Sequence, residues 1–508
     1  MLVRTYCSAL HGISAQIITV EVNITPGVNF FIVGLPDSAV KESQQRIDAA
    51  LRNTGGRIPG KKIIVNLAPA DIRKQGSGYD LAIAIGILAA DEKLPADNLA
   101  NYLFLGELSL DGTLQPVRGA LSIALQAKNE GFKGIFLPQQ NASEAAIVQD
   151  FEVYGAQQLK DVILHLGQKQ CIPQEKVDIQ ARFSFANTTD STFDFEDVRG
   201  QENMRRALEI AAAGNHNIIM IGPPGSGKTM LAKRLTTILP PLTLGEAIDT
   251  TKINSVAGKI SAFNGLIVQR PYRAPHHTIS TVALIGGGAN PLPGEISLAH
   301  NGILFLDEFP EFNRHVLEVM RQPMEDQVIR LSRARFAVEY PARFMLVAAM
   351  NPCPCGYYNH PEKECVCTPG MVHRYLSKIS GPLLDRIDIH CEVAPVQFQH
   401  LNSKTKSESS TSIKTRVVQA HQIQFNRQSK SNSFLTSAEL RLYCSIDTSG
   451  IQLLKTAMER LGLSARAYDR ILKLARTIAD LEGQSSIQTH HLAEAIQYRS
   501  LDRSGWGH

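Results

Sequence analysis

The segment 217–241, NIIMIGPPGSGKTMLAKRLTTILPP, leaves a chain few ways to fold. Four apolar residues, Ile218–Ile221, run into G-x-x-x-x-G-K-T, and a helix-forming stretch follows until Pro240 and Pro241 stop it. A short apolar run of this kind, followed by a glycine loop and a helix, reads as a buried strand. The glycines let the loop curl so that backbone N–H groups converge on phosphates at a helix N-terminus. Gly222, Pro223, Pro224, Gly225, Ser226, Gly227, Lys228, Thr229 and Met230 therefore form a candidate nucleotide cradle. Lys228 is placed to reach the β- and γ-phosphates, and Thr229 offers its hydroxyl to Mg²⁺.

Two further apolar runs supply the rest of such a site. GILFLDEF ends in Asp307 and Glu308, with Asp307 79 residues after Lys228. An acid at a buried strand end can hold the Mg²⁺ shell, and the next carboxylate can polarise the attacking water. RFMLVAAMN ends in Asn351, whose amide would lie beside the nucleotide strand and orient the water. By spacing alone, that Asn-Pro pair equally starts a turn.

Directly after it come four of the eight cysteines, Cys353, Cys355, Cys365 and Cys367, in the pattern C-x-C-x₉-C-x-C. Four thiolates suit tetrahedral Zn²⁺. One intervening residue makes two ligands from one strand hard to aim, and His360 is a substitute ligand. The alternative is four reduced structural thiols. Cys7, Cys171, Cys391 and Cys444 are scattered, which fits a reducing cytoplasm better than a disulfide scaffold.

At 508 residues the chain exceeds one ordinary core, so two or three domains are expected. No stretch reaches the roughly 18 uncharged apolar residues that a membrane span needs. The opening residues lack an apolar run followed by a small-residue cleavage site, so no secretory signal is expected. A net charge of +4 permits a polyanionic partner without demanding one.

The amino-terminal region opens on alternation: Ile18, Val20, Val22 and Ile24 are separated by Thr19, Glu21 and Asn23, which predicts a half-buried strand. SAVKESQQRIDAALRNTGG predicts a helix capped by Ser38 and ended by Gly55-Gly56. KKIIVNL and YDLAIAIGILAA continue as a strand and a buried helix, and the alternation lasts to about residue 166. Residues 167–193 turn polar and read as a linker, and a second α/β pattern spans 194–397. Residues 398–413 form a polar low-complexity loop, and 414–508 are helical, with Thr436 and Glu439 set as a capping box.

Taken together, these motifs resemble AAA+ ATPases. GEISLAHNGILFLDE, YPARFMLVAAMNP and GPLLDRIDIH are similar to the magnesium-chelatase-like branch, and VNLAPADIRKQGSGYDLAIAIGIL narrows the resemblance to the ComM/YifB family over essentially all 508 residues. The resemblance implies a Lon-protease-like α/β domain at 1–166, an αβα P-loop ATPase domain at 194–397 and a small all-helical lid at 414–508. It also implies a homohexameric ring with ATP at subunit interfaces, in which Asn351 is sensor 1, Arg386 the arginine finger and Arg466 sensor 2. Without that frame, Arg386 and Arg466 read as surface or ion-pair residues. A guanidinium from a neighbour would neutralise charge developing on the γ-phosphate.

KQGSGYDLAIAIGIL and GELSLDGTLQPVRGALSIALQA resemble the proteolytic domain of Lon, but the serine slot falls at Gly78 and the lysine slot near Leu121. Ser77 is one position away, yet no lysine occurs at 115–127, so a Ser-Lys dyad lacks its base. A non-proteolytic scaffold for DNA or partner contact is the expected role.

VIRLSRARFAVEYPARF (328–344) reads as a hairpin with Ile329, Leu331 and Phe336 for packing and Arg330, Arg333 and Arg335 crowding the turn. The family frame makes it a pore hairpin whose guanidiniums grip DNA phosphates without reading sequence. A solvated basic turn is the alternative. QRPYRAPHHTIS (269–280) is a second candidate pore loop, with His276 and His277 not assigned to metal. Arg466, Arg470 and Lys473 recur at helical spacing as one basic face, expected to face solvent except where Arg466 serves as sensor 2.

Three functions compete. The first, which the resemblance favours, is an ATP- and Mg²⁺-dependent helicase and branch-migration motor on single-stranded or branched DNA, acting beside recombination proteins during natural transformation. The second is a chelatase-like ATPase subunit driving metal insertion or other remodelling. The third is an ATP-dependent protease, against which the missing Ser-Lys pair counts.

Overall fold

The computed structural model describes residues 1–74, 76–188, 193–260, 265–288, 291–333, 336–358, 360, 362–395 and 407–499. The chain packs as two compact units that interleave along the sequence: Met1–Thr188 with Leu244–Val268 and Ser332–Tyr340, and Thr189–Thr243 with Gln269–Leu331 and Pro341–His508. Two segments that lie inside 194–397 in sequence thus pack with the first unit.

The first unit is built on a seven-stranded mixed sheet. In spatial order its strands are Phe30–Val33, Lys62–Ala68, Ser14–Thr25, Leu2–His11, Tyr102–Phe104, Gly134–Pro138 and Glu152–Ala156. The alternation around Ile18 sets the register: Ile18, Val20, Val22 and Ile24 are buried while their neighbours are half-exposed. Asp80–Ala90 is a helix buried on every side, as a run without a polar face requires. Gly86 lets it lie against the sheet, since a Cβ there would stand 2.7 Å from Val22 Cγ2.

The predicted helix after residue 37 divides in two, Ser38–Lys41 and Ser43–Asn53. Its cap is Asp37, whose carboxylate accepts from the Val40 N–H at 2.9 Å, so Ser38 is the first helical residue rather than the cap. Gly55, at φ 84°, follows the end as predicted. A helix at Ile179–Thr188 occupies part of the stretch read as linker, with its Ala181 N–H held by Asp178; it has no apolar stripe to betray it. The rest of the linker, 189–192, and most of the polar loop, 396–406, lie outside the described residues.

The second unit carries a five-stranded parallel sheet in the order Tyr272–Arg273, Ile303–Leu306, Met345–Met350, Ile218–Ile221, Ile389–Glu392. Ile218–Ile221 is an interior strand with every residue buried, pairing Val347–Met350 on one side and the edge strand Ile389–Glu392 on the other. Helices Glu202–Gly214 and Lys228–Ile238 cover it. The carboxyl-terminal helices Ser410–Gln428 and Ala465–Leu481 join the same core, with Val417, Ile471 and Ala475 packed among Leu208, Ala211 and Leu235. Thr436 and Glu439 form the expected capping box. In a sheet of this kind, ligands bind beyond the carboxyl ends of the strands where the order reverses, beside Ile221.

Candidate active site

Three strand ends meet at that point. Gly222 follows Ile221, donates to Met350 O at 3.2 Å, and lies so close to Val393 that a Cβ would stand 2.5 Å from its carbonyl oxygen. Gly225 and Gly227 take left-handed backbones, φ 77° and 88°, turning the loop into the first residue of helix Lys228–Ile238. Nothing lies within 4 Å of where a Cβ of Gly225 would be, so the loop's crest is open above its N–H groups.

Lys228 is buried, and its Nζ donates to Gly222 O (2.7 Å), Pro223 O (2.9 Å) and Asn351 Oδ1 (3.2 Å). Burial draws its pKa below the ordinary lysine value, and the Asp307 carboxylate opposes that shift. Thr229 Oγ1 donates to Asp307 Oδ2 at 2.7 Å, and the Glu308 N–H donates to Asp307 Oδ1 at 2.9 Å. The hydroxyl and carboxylate expected around one Mg²⁺ are therefore already together, a hard-oxygen pair of the kind that cation takes. With the open glycine crest and an 11-residue helix behind it, the donor set fits a magnesium nucleotide.

Glu308 adopts φ 53°, a left-handed backbone uncommon outside glycine, so its side chain departs from the direction of Asp307. It is largely exposed, and its Oε2 lies 3.0 Å from His277 Nδ1. His277 also stacks on His276, with ring centroids 4.1 Å apart. The pairing joins two motifs distant in sequence, and nothing in PHHT spacing announces it.

Arg466 lines a second cleft, and Arg386 lines a separate one that shares Glu325 with it. Arg386 is buried, its Nη2 lies 2.5 Å from Glu325 Oε1, its Nη1 donates to Pro382 O, and its Nε finds no partner among the described residues. Arg466 is exposed in the first turn of helix Ala465–Leu481 and lines the cleft with Glu325, Asp388 and Arg470. Behind them Asp388, 3% exposed, accepts from the Asn217 N–H (3.1 Å), faces His216 Nδ1 (3.4 Å) and ion-pairs with Arg470. Burial alone would raise the Asp388 carboxyl, but Arg470, His216 and Lys473 together hold it well below the usual carboxylate range. Arg470 and Lys473 therefore do not form a free basic face: both are half-buried, and Lys473 donates to Ser433 O at 2.9 Å.

Val328–Arg333 and Phe336–Pro341 pair as the predicted hairpin, with Ile329 buried. Arg330 is exposed and ion-paired with Asp326 at 3.2 Å; Arg333 ends the first strand, and Arg335 lies outside the described residues. In the first unit, Ser77 donates to Glu107, and Leu121 is buried with its N–H on Glu144.

The four clustered cysteines converge. Cys353 Sγ lies 3.3 Å from Cys355 Sγ and 3.8 Å from Cys365 Sγ, Cys355 and Cys365 are 3.6 Å apart, and Cys367 completes the group. Tetrahedral Zn–S bonds of about 2.3 Å would place sulfurs about 3.8 Å apart. The narrow C-x-C spacing works because Cys353–Gly356 is a turn, closed by Gly356 N–H on Cys353 O at 3.0 Å, and not a strand. Burial opposes ionisation of Cys355, but the N–H groups of Tyr357 and Val366 and the thiols of Cys353 and Cys367 outweigh it and draw the thiol down to about 6. His360 stands apart from the four converging sulfurs, and its Nδ1 accepts from the Glu362 and Lys363 N–H groups.

Similarity to known proteins covers three successive stretches of the chain. The family model described as magnesium chelatase, subunit ChlI, matches residues 194–401; subunit ChlI of Mg-chelatase matches 20–141; and the ChlI C-terminal model matches 407–499. The chain is 45% identical to the competence protein ComM of Haemophilus influenzae over 503 residues, 98% of this chain and 97% of that protein. It is 45% identical to the uncharacterized protein YifB of Salmonella typhimurium over 497 residues, covering 97% and 96%. A 222-residue stretch, 40% of the chain, is 26% identical to 22% of the DNA replication licensing factor Mcm2 of Drosophila melanogaster.

Proposed function

Because the chain belongs to the ComM/YifB family of magnesium-chelatase-like AAA+ ATPases, we propose that it is a homohexameric ring motor that spends ATP on moving single-stranded or branched DNA. Its setting is homologous recombination during natural transformation, beside recombination proteins in the cytoplasm. The observation that carries the ATP-driven part is the Thr229–Asp307 hydrogen bond at the mouth of a phosphate loop whose lysine is held by Asn351.

Magnesium-bound ATP would supply the γ-phosphoryl group that passes to water, ADP as the leaving group, and the charge-neutralising cation. The chain's own residues do the rest. The Gly225 and Gly227 N–H groups and Lys228 hold phosphates, Thr229 and Asp307 hold the cation, and Asn351 orients water. Glu308 takes the water's proton once it parts from His277. Arg386, on exchanging Glu325 for a neighbouring subunit, presents its charge there, and Arg466 does so from the lid. The four cysteines hold Zn²⁺ and brace the loop between Asn351 and Arg386.

Support for DNA as substrate comes from the exposed Arg330 hairpin, from the competence role in the name of the Haemophilus relative and from the replication role in that of the Drosophila one. The first unit is a Lon-like scaffold without protease chemistry, a reading supported by Ser77 donating to Glu107. Among the described residues no helix is long and apolar enough to cross a membrane. Metal insertion is the second reading, favoured by the three chelatase-subunit models. DNA-stimulated ATP hydrolysis separates the two: a motor hydrolyses faster on DNA, with a stimulation that falls steeply as salt rises, and a chelatase subunit is indifferent to it.

A further inference from the structure

The cysteine turn lies directly on the phosphate loop. Gly356 has φ 84°, and a Cβ there would stand 2.4 Å from Pro224 Cδ and 2.8 Å from its Cγ. No side chain fits between them. The same Gly356 N–H donates to Cys353 Sγ at 3.2 Å as well as to the Cys353 carbonyl. One peptide group thus touches a sulfur on one side and the nucleotide loop on the other.

A second attachment lies five residues upstream. Asn351 Oδ1 accepts from Lys228 Nζ at 3.2 Å, two residues before Cys353. Cys353 is therefore flanked by two residues, Asn351 and Gly356, that touch the phosphate loop. Cys353 itself is fully buried between these two residues.

We propose that metal at Cys353, Cys355, Cys365 and Cys367 is energetically coupled to nucleotide at the phosphate loop, through the Gly356–Pro224 contact and the Asn351–Lys228 bond. This rests on the reading of the four thiols as a zinc site. A divalent cation of the zinc class fixes the four sulfurs and with them the turn, so that the loop meets nucleotide in one shape. Without the cation, the loop gains freedom that nucleotide binding must then remove. Coupling of this kind is reciprocal: the factor by which metal tightens nucleotide equals the factor by which nucleotide tightens metal.

The test uses the full-length protein with a fluorescent, non-hydrolysable ATP analogue and Mg²⁺. Nucleotide affinity is measured on zinc-loaded and chelator-stripped protein, and zinc affinity by chelator competition with and without the analogue. Both ratios should be the same and about tenfold. Gly356→Ala should keep one zinc per chain while nucleotide affinity falls and the reciprocal effect disappears; Cys365→Ser should mimic stripping. One zinc per chain with identical nucleotide affinity in loaded and stripped protein overturns the coupling and leaves the zinc site standing. Protein that takes up no zinc overturns both. The wild-type zinc measurement needs no variant, so a variant that misfolds does not shield the proposal.

Discussion

Replacing Asp388 by alanine tests whether the buried carboxylate between the five-stranded sheet and helix Ala465–Leu481 is a hub of the second unit. In the native chain it meets the Arg470 guanidinium, the Asn217 N–H and His216 Nδ1 while 3% exposed. Alanine leaves Arg470, whose side chain is 20% exposed, without its counter-charge, and strands the Asn217 N–H. Removing one member of a buried pair costs about 3–5 kcal/mol, because the surviving charge stays desolvated. Asp388→Asn keeps an oxygen for Asn217 and should cost less. Urea unfolding followed by circular dichroism, with limited proteolysis assigning the transition to the second unit, reads the difference. The pH dependence gives a second handle. The folded carboxyl titrates below its unfolded value of about 3.9. Its stabilisation is therefore complete above that pH and is lost as pH falls through the depressed folded value. Wild type should lose this increment on acidification and Asp388→Ala should not. A loss under about 1 kcal/mol for alanine, the size of an exposed pair, would refute the reasoning.

Glu308→Gln should bind nucleotide with near-native affinity but lose turnover by about 100-fold or more, read by single-turnover hydrolysis. His277→Phe removes the donor that holds Glu308 and should raise hydrolysis measured without DNA; an unchanged rate would mean the pair is incidental. Gly86→Ala drives a methyl into Val22 and should destabilise the first unit by about 1–3 kcal/mol in thermal unfolding, whereas a neutral result would mean that the helix shifts freely. Alanine at Arg330, Arg333 and Arg335 together should reduce the salt slope of single-strand binding by about 2, from roughly 0.7 per phosphate contact; an unchanged slope places the grip elsewhere.

The nucleotide site was legible because its parts are local: a strand, a glycine loop and a helix are contiguous, and the acids and Asn351 each end an apolar run. Strand periodicity around Ile18 was legible for the same reason. Contacts between distant segments left no such trace. Glu325 opposite Arg386, His277 opposite Glu308 and Asp388 opposite Arg470 each join residues whose neighbours follow no common period. Domain boundaries drawn as continuous spans could not show that 244–268 packs with the first unit, where Ser255 hydrogen-bonds to Glu144. The cysteine spacing was ambiguous because C-x-C aims poorly on a strand, and only the turn closed at Gly356 brings the two sulfurs together.

The most direct measurement of the motor reading is strand exchange. Purified full-length protein is incubated with Mg²⁺, ATP and a fluorescently labelled four-way DNA junction, and the separated duplexes are counted against time. Exchange that requires ATP hydrolysis and fails in Glu308→Gln, which still binds nucleotide and DNA, is the predicted result. Junctions left intact by a protein that hydrolyses ATP at one rate with and without DNA would contradict it.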